Sequence, residues 1–160
     1  MKDRKPFMAA NWKMNLSLAE AEDLLTSIKQ AHIDFDMVDV LVAPPFTILQ
    51  LAREVLAGTN ILIAGQNMHW EKNGAFTGEI SPLMLREAGC SHVLLGHSER
   101  RTYFFETDEM VNRKVGAAID AGLIPIICIG ETLEEREEKK TFDVIRTQFE
   151  ESLKTHRQLG

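Results

Sequence analysis

Five short runs of almost wholly apolar residues punctuate this chain, and a longer amphipathic stretch follows each. FMAANW (7–12) leads into LSLAEAEDLLTSIKQA, and VDVLVAPP (38–45) into FTILQLAREVLAG. NILIAGQN (60–67) leads into a polar loop, WEKNGAFTGE, and then SPLMLREAG; SHVLLGH (91–97) leads to TDEMVNRKVGAAIDAG. LIPIICIGE (123–131) leads to TLEEREEKKTFDVIRTQFEESLKTHRQ. Runs that do not alternate between apolar and polar residues suit strands buried on both faces. That is the habit of parallel sheets whose strands are each returned by a helix. The constraint is severe: a chain written this way is α/β, with a βα unit present five times.

Local signals agree with that reading. Leu18, Ala21, Leu24, Leu25 and Ile28 keep helical spacing. Ser17 with Glu20 has capping-box spacing, Ser81 before Pro82 is a helix start, Thr107 or Asp108 caps a third helix, and Gly58 suits a helix stop. The acid-rich run ETLEEREEKK reads as the solvated face of one long final helix, with Glu135 and Lys139 in the favourable i,i+4 orientation. No low-complexity or Pro/Gly-rich linker divides the chain, so residues 1–160 are expected to form a single domain. At that length a domain buries roughly 70% of the surface its unfolded chain exposes.

Composition narrows the function classes. Eighteen basic residues against 24 acidic ones give a net charge of -6, with no basic stripe to bind nucleic acid. Cys90 and Cys128 are too few and too far apart for a disulfide framework or a zinc site, and they read as buried thiols in a reducing compartment. GLIPIICIG, the longest apolar stretch, falls far short of the roughly 20 residues a membrane span needs. No secretory apolar core follows MKDRKPFMAANWK. The expectation is a cytoplasmic protein that engages neither nucleic acid nor membrane and holds no metal.

Two architectures fit five βα units: an open doubly wound sheet, or a (β/α)8 barrel of which five of eight units are present. The open sheet is favoured by the count alone, but its nucleotide-binding forms carry a Gly-rich turn after the first strand. Here that turn is AANWKMN, without a glycine, and no GxGxxG or Walker pattern occurs. Several strands instead end in polar or ionisable residues: Asn11 and Lys13, Gln66 and Asn67, His97 and Glu99. A barrel carries its chemistry at such strand ends, so the motifs favour it.

VLLGHSERR (93–101) is the densest of these endings. His97 precedes what reads as the first turn of a helix, whose N–H groups disfavour an imidazolium and keep the ring neutral, able to donate to a carbonyl. Glu99 would hold a nearby ammonium in place. Lys13 is either a surface lysine covering apolar area or a fixed cation for an anionic substrate, and Asn11 either orients a substrate oxygen or caps a strand. Arg100 and Arg101 read as ion-pair partners of carboxylates, and Glu131 as a structural carboxylate at the mouth. His32, His69, His92 and His156 read as structural.

AANWKMN, GQNMHWEKNGAFTGEISPLMLREAG, LLGHSERR and IPIICIGETLEERE, in this order, resemble the triosephosphate isomerase family from about Lys5 to about Leu153. NWKMN and GHSERR are the most specific of these stretches. The resemblance implies a TIM barrel and, with no cofactor, the interconversion of dihydroxyacetone phosphate and glyceraldehyde 3-phosphate in glycolysis and gluconeogenesis. It assigns Asn11 and Lys13 to substrate binding, and Lys13, His97 and Glu99 to catalysis. That family is itself the standard illustration of a carboxylate base working with a neutral histidine at a helix N-terminus. The loop Gln66–Glu79 resembles the family's dimer loop, with Thr77 reaching toward the partner's site near Asn11 and Lys13, which implies a homodimer.

A barrel of this type typically needs about 250 residues. No residue of this sequence matches the family's general-base glutamate after the sixth strand, or its later phosphate-gripping loops. The chain is therefore expected to be inactive alone. The alternative is a non-catalytic, truncated barrel module that associates with itself through the open edges of the first and fifth strands. Three positions depart from the pattern: Glu138 and Lys139, where alanine or glycine is expected, and Phe105, where the family often has something small.

Overall fold

The apolar runs are five parallel strands: β1 (Phe7–Asn11), β2 (Asp39–Ala43), β3 (Leu62–Gly65), β4 (His92–Leu95) and β5 (Ile124–Ile127). In the computed structural model, which describes residues 4–156, they pair strictly in chain order. That order decides between the two architectures. A doubly wound sheet reverses direction at a switch point, whereas strands added always on the same side curl into a barrel wall. The register runs from Phe7↔Asp39 to Asn11↔Ala43 in the first pair and from His92↔Ile124 to Leu95↔Ile127 in the last.

Among the described residues seven helices return the strands: α1 (Leu18–Gln30), α2 (Leu49–Val55), α3 (Pro82–Glu87), α4 (Ser98–Tyr103), α5 (Asp108–Asp120), α6 (Leu133–Glu137) and α7 (Thr141–Ser152). A 3₁₀ turn, Phe46–Ile48, leads into α2 directly after Pro44 and Pro45. Ser17 and Glu20 form the expected capping box, and Ser81 caps α3 ahead of Pro82. Thr107, not Asp108, caps α5, its hydroxyl accepting from Met110 N–H.

Alternation along the strands sorts two cores. Val42, Ile63, Val93 and Leu95 face the helices and pack with Leu25, Leu49, Leu85, Val111 and Val115. Leu41, Ala43, Ala64 and Leu94 face the inside of the curve, joined by Leu62 and Ile126. The middle strands are thus covered on both faces, as their composition requires. The expectation of two-sided burial fails for β1 and β5: Phe7, Met8 and Ile124 stay exposed because among the described residues no strand lies beyond them.

The final stretch is two helices, not one. Thr132 and Glu135 close a capping box on α6, and the chain breaks at Lys139, whose φ is 60°. With Glu135 turned back to its cap and Lys139 outside the helix, their expected pairing does not form; Lys140 pairs with Glu138 instead. Asn112 of α5 holds the end of α7, its amide donating to Ser152 O and its Oδ1 accepting from the Thr155 hydroxyl.

A repeated contact ties each of the first three units to the next. Lys29 at the end of α1 donates to Val55 O in the last residue of α2 and to Ala57 O just beyond it. Arg53 of α2 donates to Glu87 O at the end of α3, and Arg86 of α3 to Gly122 O after α5. Each satisfies carbonyls that a helix end leaves without partners.

Candidate active site

The site is built at the carboxyl ends of β1, β3 and β4. Asn11 closes β1, and its Oδ1 accepts Lys13 N–H at 3.0 Å. Gln66, after β3, donates to Lys13 O at 2.8 Å and to Ala43 O at 2.9 Å. Clamped at both its N–H and its C=O, Lys13 is held in the left-handed region at φ 54°, a conformation costly for a side chain with a Cβ. Trp12 beside it is buried, with its N–H on Ala43 O. The lysine is therefore no free surface residue: its backbone is fixed and its ammonium meets Glu99 Oε1 at 2.9 Å.

Glu99 lies in the first turn of α4, and the Lys13 hydrogen bond holds its carboxyl below the usual carboxylate range. His97 is the N-cap of the same helix. Its Nδ1 accepts Glu99 N–H at 3.3 Å and lies 3.5 Å from Glu99 Oε2. A nitrogen that accepts an N–H carries no proton of its own, so this geometry belongs to the neutral ring with its hydrogen on Nε2. Gly96 just before it has φ 70°, and a Cβ there would come within 2.9 Å of Arg101 and 3.0 Å of Val111, so only glycine makes this turn without strain.

Two clefts flank His97. One, about 170 Å³, is lined by Asn11, Lys13, Gln66, Glu99 and Phe104. The other, about 320 Å³, opens between the ends of β4 and β5 against Gly96, Arg101, Cys128 and Glu131. Asn11, Lys13, His97 and Glu99, all singled out from sequence, thus share one cleft. The arrangement can place a cation, a neutral imidazole donor and an amide around one substrate oxygen.

Arg101 joins three elements: it pairs with Asp108 at 2.6 Å and donates to Gly96 O at 2.7 Å and Cys128 O at 3.4 Å. Arg100 lies over the Phe104 ring, with its Nε 3.6 Å from Glu106. Glu131, at the edge of the larger cleft, accepts from the Thr141 hydroxyl at 3.2 Å. His92 opens β4, while His32 and His156 fall just past helix ends. His69 stacks on Phe76 with centroids 4.2 Å apart, inside the Gln66–Glu79 loop, where Thr77 is exposed.

Beneath the site lies a buried polar group that motif reading passed over. Glu106 accepts Gly96 N–H at 3.1 Å and the Lys114 ammonium, which also donates to Asn67 Oδ1 at 2.8 Å. Burial pushes the Lys114 pKa down against the pull of Glu106. A signal for it existed: Lys114 falls among Val111, Val115 and Ala118 on the buried face of α5. Cys90 is buried, which drives its thiol up to about 12, and Cys128 is also raised by burial; neither is a ready thiolate. No metal-ligating cluster occurs among the described residues.

Comparison with known proteins places this geometry. Residues 6–159 match the family model for triosephosphate isomerase. The triosephosphate isomerases of Thermoanaerobacter pseudethanolicus and Geobacter metallireducens are each 52% identical to it, over 94% of this chain and 60% of theirs. The crystal structure of the Bartonella henselae triosephosphate isomerase superposes with a TM-score of 0.83 at 46% identity, over 93% of this chain and 62% of that one. The chain spans about 60% of the length of the curated relatives it matches. With five parallel strands wound in barrel order and a matching family model over nearly its whole length, the chain belongs to the triosephosphate isomerase family.

Proposed function

We propose that these residues form the electrophilic half of a triosephosphate isomerase site, which interconverts dihydroxyacetone phosphate and glyceraldehyde 3-phosphate through an enediolate. One observation carries the reading: His97 accepts the Glu99 N–H on Nδ1 while Glu99 holds the Lys13 ammonium at 2.9 Å. When the proton on the carbon beside the carbonyl is removed, negative charge moves onto the carbonyl oxygen. The His97 Nε2–H and Lys13 stabilise that oxygen, Asn11 orients it, and Glu99 keeps Lys13 in place. Preorganised donors of this kind each contribute about 10²–10³ in rate.

The carboxylate that takes the carbon-bound proton, and the loops that grip the phosphate, are assigned to the part of the relatives that lies outside these 160 residues. The chain alone is accordingly expected to be inactive. The same reading includes a homodimer through the Gln66–Glu79 loop, supported by the exposed, aromatic-braced stretch around Thr77. It also includes a cytoplasmic setting in glycolysis, with no cofactor.

The test is isomerisation of glyceraldehyde 3-phosphate by the purified chain, alone and mixed with the remaining carboxyl-terminal two-fifths of a relative. No turnover alone, turnover in the mixture, and a loss of at least about 10² with His97→Ala support the reading. A mixture that binds but never turns over counts against it, as does an active His97→Ala mixture. The exposure of Phe7, Met8 and Ile124 along the open edges favours a second reading, in which the 160-residue chain is a non-catalytic module that associates with itself.

A further inference from the structure

Resting on the homodimer reading, we infer that Arg113 of α5 is a positioning residue for the docking loop: it holds Gln66–Glu79 in shape before a second copy of the chain arrives.

The loop needs such a holder. A segment of this length without regular structure is uncommon in a compact domain, being either functional or disordered. Its root is fixed by burial: Asn67 and Met68 lie inside, Asn67 Oδ1 accepts from Lys114 of α5 at 2.8 Å, and His69 N–H donates to Ile80 O at 2.8 Å. From Glu71 to Glu79 every residue is exposed. The backbone bonds within that stretch are local turns, Phe76 N–H to Gly74 O and Glu79 N–H to Phe76 O. Between root and tip runs a line of stacked groups. The Arg113 guanidinium lies over the Trp70 ring, 4.0 Å from its centroid, with a nitrogen 3.7 Å from the Glu71 carboxylate. Trp70 lies against His69, and His69 stacks on Phe76, each pair with centroids 4.2 Å apart. His69 Nδ1 also accepts Glu71 N–H at 3.0 Å. Phe76 can fold back this far because Gly74, at φ 143°, has no Cβ; one there would stand 2.7 Å from the Phe76 ring. Thr77 is the next residue. One guanidinium thus fixes Trp70 and Glu71 together and, through His69 and Phe76, sets where Thr77 stands.

Arg113 suits the task because its own helix cannot yield. Val111, Lys114 and Val115 beside it are buried, so the α5 backbone is fixed while the Arg113 side chain stands half exposed against the loop. A planar guanidinium stacks on an indole, which the compact ammonium of a lysine does not. A loop ordered in advance has less freedom to lose on docking, so a second copy binds it more tightly.

Loop order and association are measured separately on the purified chain. Loop order is read from trypsin cleavage between Lys72 and Asn73, followed by mass spectrometry, and from the emission of Trp70, the less buried of the two tryptophans. Both are taken at a dilution where the chain sediments as a monomer. Association is read as the dimer dissociation constant from sedimentation at higher concentration. Arg113→Ala is expected to speed the cleavage about fivefold, shift the Trp70 emission to the red and weaken the dimer by a similar factor, with helical circular dichroism unchanged. Glu71→Gln keeps the stack and is expected to stay within about twofold of the unaltered chain. Arg113→Lys keeps the ion pair and is expected to fall nearer to Arg113→Ala. Cleavage and emission unchanged in Arg113→Ala overturn the clamp, as does a Glu71→Gln chain that behaves like Arg113→Ala. A loosened loop with an unchanged dissociation constant overturns its role in docking. A chain that never dimerises overturns the homodimer reading and with it the docking role, while cleavage and emission still decide the clamp.

Discussion

Lys114 shows what a single buried charge demands. Its ammonium sits between Glu106 and Asn67 with almost no solvent, and Glu106 in turn holds the N–H of Gly96, the residue before His97. Removing one partner of such a pair strands the other. Glu106→Gln is expected to destabilise the chain by about 3–5 kcal/mol, measured by urea titration; a loss below about 1 kcal/mol would mean that water reaches the pair. The same scale exposes where side chains and backbone disagree. Lys139 occupies the left-handed region, at a cost of about 1–2 kcal/mol, while glycine there gives up about 0.5–1 kcal/mol of chain entropy. Strain wins, so Lys139→Gly is expected to stabilise by about 0.5–1 kcal/mol in the same titration. Phe105 shares that conformation at φ 54°, with its side chain 80% exposed. Both positions were visible in the sequence as departures from the family pattern. The positive φ they share is a backbone property that composition does not reveal. Asn11, Lys13, His97 and Glu99 were legible because each stands abruptly at the end of an apolar run. Glu106 was not, because it lies in an irregular segment with no period to violate.

Among the elements, strands were the most legible and breaks the least. Runs such as VLVA and HVLL announce burial on both faces, and β2 to β4 comply. The break between α6 and α7 escaped notice because EREEKKTF consists mostly of good helix formers, and no glycine or proline marks the stop. The contacts between helix ends were equally silent, since they join residues a unit apart. Arg53 is an informative one: its guanidinium caps α3 and its stem packs where a Cβ on Gly89 would collide at 2.9 Å. Arg53→Ala loses the hydrogen bond and the packing together, an expected cost of about 1 kcal/mol. Differential scanning calorimetry would register it as a fall in Tm of about 2–4 °C. An unchanged Tm would mean that water replaces the guanidinium at no cost.

For the molecule as a whole, acid is the informative variable. His92 is buried at the start of β4, 5.8 Å from the Phe7 ring, and burial lowers its pKa despite the nearby Asp39. Below the ordinary value of 6.5 the unfolded chain takes up a proton that the folded chain resists, so stability falls as pH drops from 6.5 through the lowered folded value. Glu99 adds a second window. Its contribution is present above the ordinary carboxylate value of 4.5 and lost as pH falls through its own lowered value. Thermal unfolding between pH 7 and pH 5 should show a declining Tm, and His92→Gln should flatten that decline while leaving the step at lower pH. A slope unchanged in His92→Gln would assign the acid sensitivity elsewhere.

The contacts that tie helix to helix also have a direction in time. Lys29 precedes its acceptor Val55 by 26 residues, Arg53 precedes Glu87 by 34, and Arg86 precedes Gly122 by 36. At 5–20 residues per second, a ribosome makes each basic side chain roughly one to seven seconds before the carbonyl it will meet. Each of the first three units therefore emerges carrying the fastener for a neighbour that has yet to be synthesised, and this part of the wall is laid course by course from the amino terminus.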